Sequence, residues 1–514
     1  MPKRSFELSA LDPLFAPRSV ALIGASATPG KWGQFVLHNL LKDGYPGRVY
    51  AVGRKGAEAF GTTFYGSLDE IHEPVDLALV MVPPAAVLGE VERAVAHGVK
   101  VIYVVTGGLG ETGTAAGREV ERRLVDISAR TGIPIVGPNG QGIVNTHLPL
   151  CGQMFFTMPP AGPIALVTQS GNIGVVLSTL AVHSGIGLSK VVSTGNAACL
   201  DIADFVEYLG ADPDTRVLLL YVEGTKEGRR LLEAIELVSR RKPVVVMKAG
   251  NSAAGGRAAT SHSAAMASDA RVFVDACRSA GAVVTESFSE MWDAACILTS
   301  LPPPRGPRVG ILTLGGGLGV ITADLAAEAG FEVTPLPDTL RTALDAFLPP
   351  RWSRGNPIDL AATEGPTTIV DTLRLMIAEQ CFDTIVYVGF GQNDVARYMI
   401  QHGSLADAPP MPQVCDVLHR MDVDVSELVR QVVAERKLPI VCIAEAVLLG
   451  REIPDAAIAL HAEHGQPTFA TPERGIRALE HLRDYHAWLD REARSPERPE
   501  REARSAERPG REAS

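Results

Sequence analysis

The sequence contains few aromatic residues, scattered cysteines and no apolar run long enough to span a membrane. Aromatic side chains make up 5% of its 514 residues, and none of the seven cysteines forms a CxxC pair. Because this spacing favours neither a zinc site nor a disulfide framework, we expect no metal site. An odd number of cysteines without a secretory signal is typical of a reducing compartment, so we expect a cytoplasmic protein with no membrane partner.

Positive charge is also in short supply, because 59 Asp and Glu residues outnumber 48 Lys and Arg residues. The net charge of −11 argues against nucleic acid or an anionic membrane as the main partner. A hydrophobic fraction of 46% is ordinary for a globular protein. The length suffices for about three or four domains of ~150 residues each.

Short apolar segments that end in glycine-rich turns recur along the chain. Segments 77–82 and 101–105 are apolar throughout, which is typical of strands buried on both faces of a parallel sheet. Glycine-rich turns between an apolar strand and a helix occur at Gly24, Gly171 and Gly315. This rhythm predicts an α/β fold of Rossmann-like or flavodoxin-like domains with mostly parallel sheets.

Changes of composition divide the predicted fold. A break at 148–160 reads as a linker, and a proline-rich stretch near 302 gives the second boundary. The predicted domains are therefore 1–147, 148–303 and 304–487, three consecutive units of the same class. Residues 488–514 contain a ten-residue Arg/Glu repeat and are predicted to be a disordered, charged tail.

The first glycine-rich turn, GASATPGKWG, occupies residues 24–33. Glycines at a helix N-terminus expose backbone N–H groups that stabilise an anionic phosphate. The spacing is neither GxGxxG nor that of a P-loop. The second strand ends before two basic residues, Arg54 and Lys55. An acid at this place would bind a ribose hydroxyl, whereas a basic residue suits a ribose phosphate. The basic pair therefore favours coenzyme A (CoA) or NADP over NAD. An ordinary turn beside a solvated basic pair is the alternative.

Three further features belong to the second predicted domain, residues 148–303. The turn at 169–172, QSGN, offers another anion site at a helix N-terminus, or plain turn chemistry. Glu223 ends an apolar strand, and His262 lies in a loop of small residues after the next strand. Both should emerge at one sheet edge, where a carboxylate that accepts an imidazole N–H would fix its tautomer. The alternatives are a solvated strand-end acid and an incidental loop histidine.

Considered together, these motifs resemble the α subunit of NDP-forming acyl-CoA synthetases, the group related to succinyl-CoA synthetase. The likeness covers about residues 10–485, with the motifs in the family's order. The matching segments are GASATPGKWG, VPP, GLGETG, GPNGQG, TQSGNIG, STGNAACLDIADFVEYL, YVEG, GGRAATSH, NPIDL and TPERGIRAL.

The resemblance implies reversible acyl-CoA formation from a carboxylic acid, CoA and a nucleoside triphosphate through an acyl phosphate. It assigns the phosphorylated histidine to His262 and the supporting carboxylate to Glu223. Amides that hold the phosphate are implied at Gln169, Ser170, Gly171 and Asn172. The residues that it implies for CoA binding are Gly24, Ser26, Gly30, Lys31, Gly33, Arg54, Lys55, Pro83 and Asn139.

The chain departs from the family pattern at several points. Ser263 and Ala264 replace the usual Thr-Gly after the histidine, and Gly140 stands where cysteine is common. No nucleotide-binding ATP-grasp part is present, so the resemblance implies an ATP-grasp β subunit that binds ATP or GTP with Mg²⁺, in a homo- or hetero-oligomer. Two alternatives are an NADP-dependent oxidoreductase and a non-catalytic CoA-binding or regulatory homologue.

Overall fold

A computed structural model gives an α/β fold with mostly parallel sheets, which confirms the predicted fold class. The described chain forms two units, residues 1–295 and 296–514. All seven cysteines are free thiols. In the described chain, no helix has the length and apolar character needed to cross a membrane. The structure describes residues 6–155, 158–250, 252, 254–255, 270–361, 365–445 and 456–494.

The first unit contains a five-stranded parallel sheet. With labels numbered in chain order, its strands are β1 (Ser19–Ala25), β2 (Arg48–Gly53), β5 (Leu77–Val80), β6 (Val101–Val104) and β7 (Ile135–Val136). They lie in the order β2-β1-β5-β6-β7, so their carboxyl ends share one edge. A separate hairpin consists of β3 (Glu58–Ala59) and β4 (Thr62–Thr63). The helices are α1 (Asp12–Phe15), α2 (Trp32–Lys42), α3 (Val87–His97) and α4 (Ala115–Thr131).

A seven-stranded sheet follows in the same unit. Its strands are β8 (Gly142–Asn145), β9 (Leu150–Gln153), β10 (Ala161–Thr168), β11 (Leu188–Ser193), β12 (Val217–Val222), β13 (Val244–Lys248) and β14 (Val283–Thr285). The order is β14-β13-β12-β10-β11-β8-β9, and the pairings are parallel except that β8 lies antiparallel to both β11 and β9. The helices are α5 (Gly171–Ser184), α6 (Ile202–Ala211), α7 (Gly228–Ser239), α8 (Ala270–Ser279) and α9 (Phe288–Ser300), the last of which continues into the second unit.

The β8–β9 hairpin differs from the linker predicted at 148–160. Strand β9 lies inside that segment, and β8 precedes the boundary expected after residue 147 while pairing with β11. Every residue of both strands is buried, because one hydrophobic core continues from the first sheet into the second. The second sheet therefore begins at Gly142.

Tyr103 of β6 joins the two sheets directly. Its ring is fully buried, and its hydroxyl accepts a hydrogen bond from the Gly142 backbone N–H at 2.9 Å and donates to the Ser193 carbonyl oxygen. A Cβ on Gly140 would lie less than 3.0 Å from this hydroxyl and from the Ser193 oxygen. The hydroxyl thus occupies the space that a larger residue at position 140 would need, which accounts for glycine where the family commonly has cysteine.

The second unit contains a five-stranded parallel sheet. Its strands are β15 (Val309–Thr313), β16 (Ile358–Asp359), β17 (Thr384–Val388), β18 (Ile440–Ile443) and β19 (Thr468–Phe469), in the order β16-β15-β17-β18-β19. The helices are α10 (Gly316–Glu328), α11 (Asp338–Asp345), α12 (Thr368–Glu379), α13 (Gln392–Gln401), α14 (Met411–Arg436), α15 (Ala456–Glu463) and α16 (Pro472–Arg494).

Helix α16 corrects the predicted start of the disordered tail at residue 488. The helix continues to Arg494 because Trp488 is buried, with only 8% of its surface exposed. Residues 495–514, which hold most of the repeat, lie outside the described residues.

An ion pair at the amino ends of central strands recurs in the first and third sheets. Asp76, just before β5, accepts from Arg18 Nε at 3.3 Å and from Lys100 Nζ at 2.8 Å. Asp383, just before β17, accepts from Arg308 Nε and Nη2, both at 2.9 Å. These hydrogen bonds lower the pKa of Asp383. Because the same ion-pair arrangement occurs in two sheets, it supports a common architecture for the domains that contain them.

We expect Asp383→Asn to destabilise the third sheet by about 1–3 kcal/mol, because it removes a charged hydrogen-bond partner. The lower end applies, since the Arg308 side chain is 43% exposed. As the folded pKa is depressed, this stabilisation is complete above about pH 4 and is lost as the pH falls further. Hydrogen exchange of β15 and β17 amides should therefore differ from wild type at pH 7 and converge in acid. An equal difference at both pH values would contradict this account.

Gly140→Ala should cost about 1–3 kcal/mol, because the new methyl group collides with Tyr103. The cost should shrink in a Tyr103→Phe background, where the hydroxyl is gone. Denaturant midpoints of the four proteins in this double-mutant cycle give the coupling. Additive effects would show that the contact does not govern position 140.

Candidate active site

Three strand ends of the second sheet meet at one edge. Strand β12 lies between β10 and β13, with Thr168 opposite Tyr221 and Val222 opposite Lys248. Glu223 therefore emerges between the turn after β10 and the start of the histidine loop after β13. His262 itself lies outside the described residues. The shared edge for Glu223 and the beginning of that loop agrees with the prediction.

The side chain of Gln169 is bound to the backbone that carries Glu223. Its Oε1 accepts from the N–H groups of Glu223 at 2.6 Å and Gly224 at 3.0 Å, and its Nε2 donates to the Gly224 carbonyl at 2.8 Å. The backbone N–H of Gln169 donates to the Tyr221 carbonyl at 3.3 Å. Gln169 therefore holds the end of β12, and both its amide groups are already engaged.

Lys248 approaches the same backbone from the opposite side. Its ammonium donates to the Glu223 carbonyl at 2.9 Å and to the Ala249 carbonyl. Only 7% of Lys248 is exposed, and burial lowers its pKa, while the nearby Glu223 charge opposes that shift. Sequence reasoning missed this residue, because only the sheet order brings it to Glu223.

Within the described part of the chain, the backbone N–H groups in the first turn of α5 have no side-chain cap. Ser170 is the N-cap residue, yet its side chain caps no helix N–H. The N–H of Ser170 itself donates to Thr168 Oγ1 at 3.1 Å. Of the four predicted phosphate-binding residues, Gly171 and Asn172 are therefore the two in the uncapped first turn, where an anion is stabilised.

Gln141 lies against the start of α5. A Cβ on Gly171 would come within 3.0 Å of the Gln141 side chain, so a larger residue at the first helical position would have to displace that side chain. The Gln141 Oε1 atom is buried without a hydrogen-bond partner in the described structure. Its position in the GPNGQG motif was the only sequence signal for this residue.

The glycine-rich turn after β1 is tightly packed. A Cβ on Gly33 would lie less than 3.0 Å from the Gly24 carbonyl oxygen. Gly24 itself has φ +108°, and a Cβ there would lie less than 3.0 Å from the Met81 carbonyl oxygen. The Ser26 hydroxyl accepts from the Thr28 N–H at 3.1 Å and shapes the turn. Gly30 has φ +83° and open space around it.

Of the two basic residues after β2, Lys55 forms an ion pair and Arg54 is accessible. Lys55 Nζ lies 3.0 Å from Glu70 Oε1, and this hydrogen bond lowers the pKa of Glu70. Arg54 is exposed and makes no ion pair within the described ranges. Lys31, the N-cap residue of α2, is exposed as well. Arg54 and Lys31 are therefore the accessible positive charges beside the turn.

Pro83 and Asn139 differ in their surroundings. Pro83 is exposed after β5, at the edge shared with β1. Asn139 adopts φ +63°, and its Nδ2 donates to Asn196 Oδ1 at 3.1 Å. Asn196 in turn donates to Glu111 at 2.6 Å and Glu121 at 2.7 Å. The Asn139 side chain thus belongs to a polar network that links the first and second sheets.

In the second unit, Asn356 of the NPIDL segment makes hydrogen bonds that support the fold. Asn356 Nδ2 donates to the Val309 carbonyl at 2.8 Å, and its Oδ1 accepts from the Ile311 N–H at 2.9 Å. These bonds complete the edge of β15.

Comparisons with known families match a segment in each of the three predicted domains. Residues 18–146 match a family described as CoA binding domain, residues 161–298 one described as succinyl-CoA ligase like flavodoxin domain, and residues 309–406 one described as ligase-CoA domain. The family resemblance drawn from the motifs is therefore confirmed in each of the three predicted domains.

Similar proteins extend this agreement over most of the chain. The chain is 36% identical over 491 residues to the acetate–CoA ligase (ADP-forming) I subunit alpha of Pyrococcus furiosus, covering 93% of this chain and 98% of the relative. The corresponding II subunit alpha is 38% identical over 74% of this chain and 82% of its own length. An acetyl-coenzyme A synthetase 1 from Ca. Korarchaeum cryptofilum, solved with phosphate and ADP, aligns with a TM-score of 0.78 and 28% identity over 93% and 97% of the two chains. The chain belongs to the family of α subunits of ADP-forming acyl-CoA synthetases.

Proposed function

We propose that the chain makes acyl-CoA from a carboxylic acid and CoA while a nucleoside triphosphate is converted to the diphosphate and phosphate. The observation that supports this most directly is the edge of the second sheet. There Glu223, the uncapped N-terminus of α5 and the start of the histidine loop come together. In this proposal, the carboxylate and the anion site act together with the imidazole that the loop carries.

The proposed reaction has three balanced transfers. A ring nitrogen of His262 takes the γ-phosphoryl group of the triphosphate, and the diphosphate leaves. The substrate carboxylate then attacks the phosphorus, which forms an acyl phosphate and releases the neutral imidazole. Finally the CoA sulfur attacks the acyl carbon, the thiol loses its proton, and inorganic phosphate leaves. A neutral imidazole near pH 7 is suited to accept and donate a phosphoryl group, and every step is reversible.

Glu223 and α5 have distinct roles in this proposal. Glu223 accepts the N–H of the non-reacting ring nitrogen of His262, which fixes the tautomer and raises the nucleophilicity of the other nitrogen. The N–H groups of Gly171 and Asn172 bind the phosphoryl oxygens, because Ser170 leaves them uncapped. Gln169 and Ser170 contribute by shaping the turn, since their own amides are engaged.

The first sheet fits CoA. The close approach at Gly24 and Gly33 brings backbone N–H groups near a ligand phosphate, as a side chain there would not allow. Arg54 and Lys31 supply accessible positive charge, and Lys55 is available to a phosphate only in competition with Glu70. We infer the same site for Ser26, Gly30 and Pro83, whereas Asn139 supports it from the network that joins the two sheets.

We further infer that a partner chain of the ATP-grasp class binds most of the nucleotide and its Mg²⁺. The alignment covers 98% of a relative that is named an α subunit, which supports a hetero-oligomer. Seven free thiols suit a reducing cytoplasm. The relatives named above act on acetate, and a small carboxylate is the substrate class that we propose here.

Phosphorylation should depend on His262. Incubated with its partner, Mg²⁺ and ATP labelled at the γ-phosphate, the wild-type chain should become labelled, whereas His262→Asn should not. Glu223→Gln should slow labelling while CoA binding stays near normal, because Glu223 acts on the imidazole alone. The measurement is acid-labile label retained on the chain over time.

Two results would change the assignment. Equal labelling of His262→Asn and wild type would remove His262 from the reaction. CoA binding without any labelling of the wild-type chain in the complex would instead identify a non-catalytic CoA-binding homologue.

Gly33→Ala should weaken CoA binding at least tenfold, because the new methyl group collides with the Gly24 carbonyl and opens the turn. Gly89→Ala is the matched control, since Gly89 lies on the exposed side of α3 with nothing within 4 Å of its Cβ position. Isothermal titration with CoA gives both dissociation constants. Unchanged affinity in Gly33→Ala would place the CoA site elsewhere.

A further inference from the structure

We propose that Gln169 and Lys248 are positioning residues for phosphoryl transfer, which fix the backbone of Glu223 and so set its carboxylate against the histidine loop. The inference rests on the proposed role of Glu223. It assigns to Gln169 a task different from phosphate binding, and it adds Lys248 to the site.

Two side chains satisfy every backbone N–H and C=O group of Glu223 and Gly224. The ladder of β12 with its neighbours ends at Val222. Beyond it, Gln169 takes the N–H of Glu223 and both backbone groups of Gly224, and Lys248 takes the remaining carbonyl of Glu223. A segment that would otherwise end in solvent-facing turns is therefore held from both neighbouring strands.

Lys248 is a buried lysine whose hydrogen bonds indicate a role beyond packing. A buried ammonium is costly, and a lysine that only filled space could be replaced by an apolar residue of similar volume. Both of its carbonyl acceptors belong to the site, one at Glu223 and the other at Ala249, the first residue after β13. Lys248 therefore links the carboxylate's backbone to the start of the histidine loop.

Loss of either side chain should disturb only the backbone of Glu223 and Gly224. The backbone after Gly224 is held independently, because Asp201 Oδ2 accepts from Thr225 Oγ1 at 2.8 Å and from the Lys226 N–H at 3.2 Å. Loss of Gln169 or Lys248 should therefore free Glu223 and Gly224 without unfolding the loop beyond them. A shift of about 1 Å in a catalytic group can cost about 10²-fold in rate.

The test compares Lys248→Met and Gln169→Met with Lys242→Met in the complex with the partner chain. Lys242 is a matched control, because it precedes β13, is also partly buried, and donates to the carbonyls of Leu209 and Asp212 at the opposite end of the strand. Rates of label transfer from ATP and CoA dissociation constants are measured for each. We expect a loss of at least tenfold in labelling rate for Lys248→Met and Gln169→Met, unchanged CoA affinity, and a wild-type rate for Lys242→Met.

A Glu223→Gln background separates positioning from general stability. If Gln169 and Lys248 act through the Glu223 carboxylate, their substitution should cause little further loss in that background. An equal loss with and without Glu223→Gln, or the same loss in Lys242→Met, would overturn the inference. Should Lys248→Met fail to fold, Gln169→Met alone decides.

The outcomes also distinguish this inference from the proposed function. A wild-type labelling rate in Glu223→Gln rejects the role of Glu223 itself. Slow labelling in Glu223→Gln with wild-type rates in both Gln169→Met and Lys248→Met keeps that role and rejects the positioning residues.

Discussion

The hydrogen bonds of the Glu223–Gly224 backbone are the constraint on which the site depends. A peptide group at a buried sheet edge needs a partner, and here the partners are side chains rather than another strand. The amide of Gln169 can do this because it presents a donor and an acceptor in one plane, as a backbone peptide does. The strand order β13-β12-β10 brings the required side chains to either side. An acid on a fixed backbone thus lies at the sheet edge where the loop of small residues begins.

Much of this fold is predictable from sequence, because parallel strands covered on both faces leave uniformly apolar segments. The glycine turns at Gly24 and Gly171 were visible for the same reason, since each follows such a strand. The β8–β9 hairpin was not predicted, because its strands are four residues long and only β8 pairs with a distant strand, antiparallel to β11. The length of α16 was missed because burial of Trp488, rather than local composition, carries the helix into the repeat.

The candidate site divides in a similar way. Glu223, Gly171 and Asn172 follow from the rule that ligands bind at the carboxyl ends of parallel strands. The alternative use of the Gln169 side chain could not be read from its motif, because an amide can serve a phosphate or a backbone equally well. Lys248 and Asn196 depend on contacts between segments far apart in the chain. Their chemistry becomes visible only when the sheet order is known.

Tyr103 determines how the first two sheets can behave during turnover. Its buried hydroxyl joins β6 to β8 and β11 inside one continuous core, so neither sheet can rotate away from the other without exposing that core. The span between the glycine-rich turn at residues 24–33 and the N-terminus of α5 is therefore fixed by the scaffold. In the proposed reaction, the CoA sulfur must therefore cover that span by the reach of its own flexible arm.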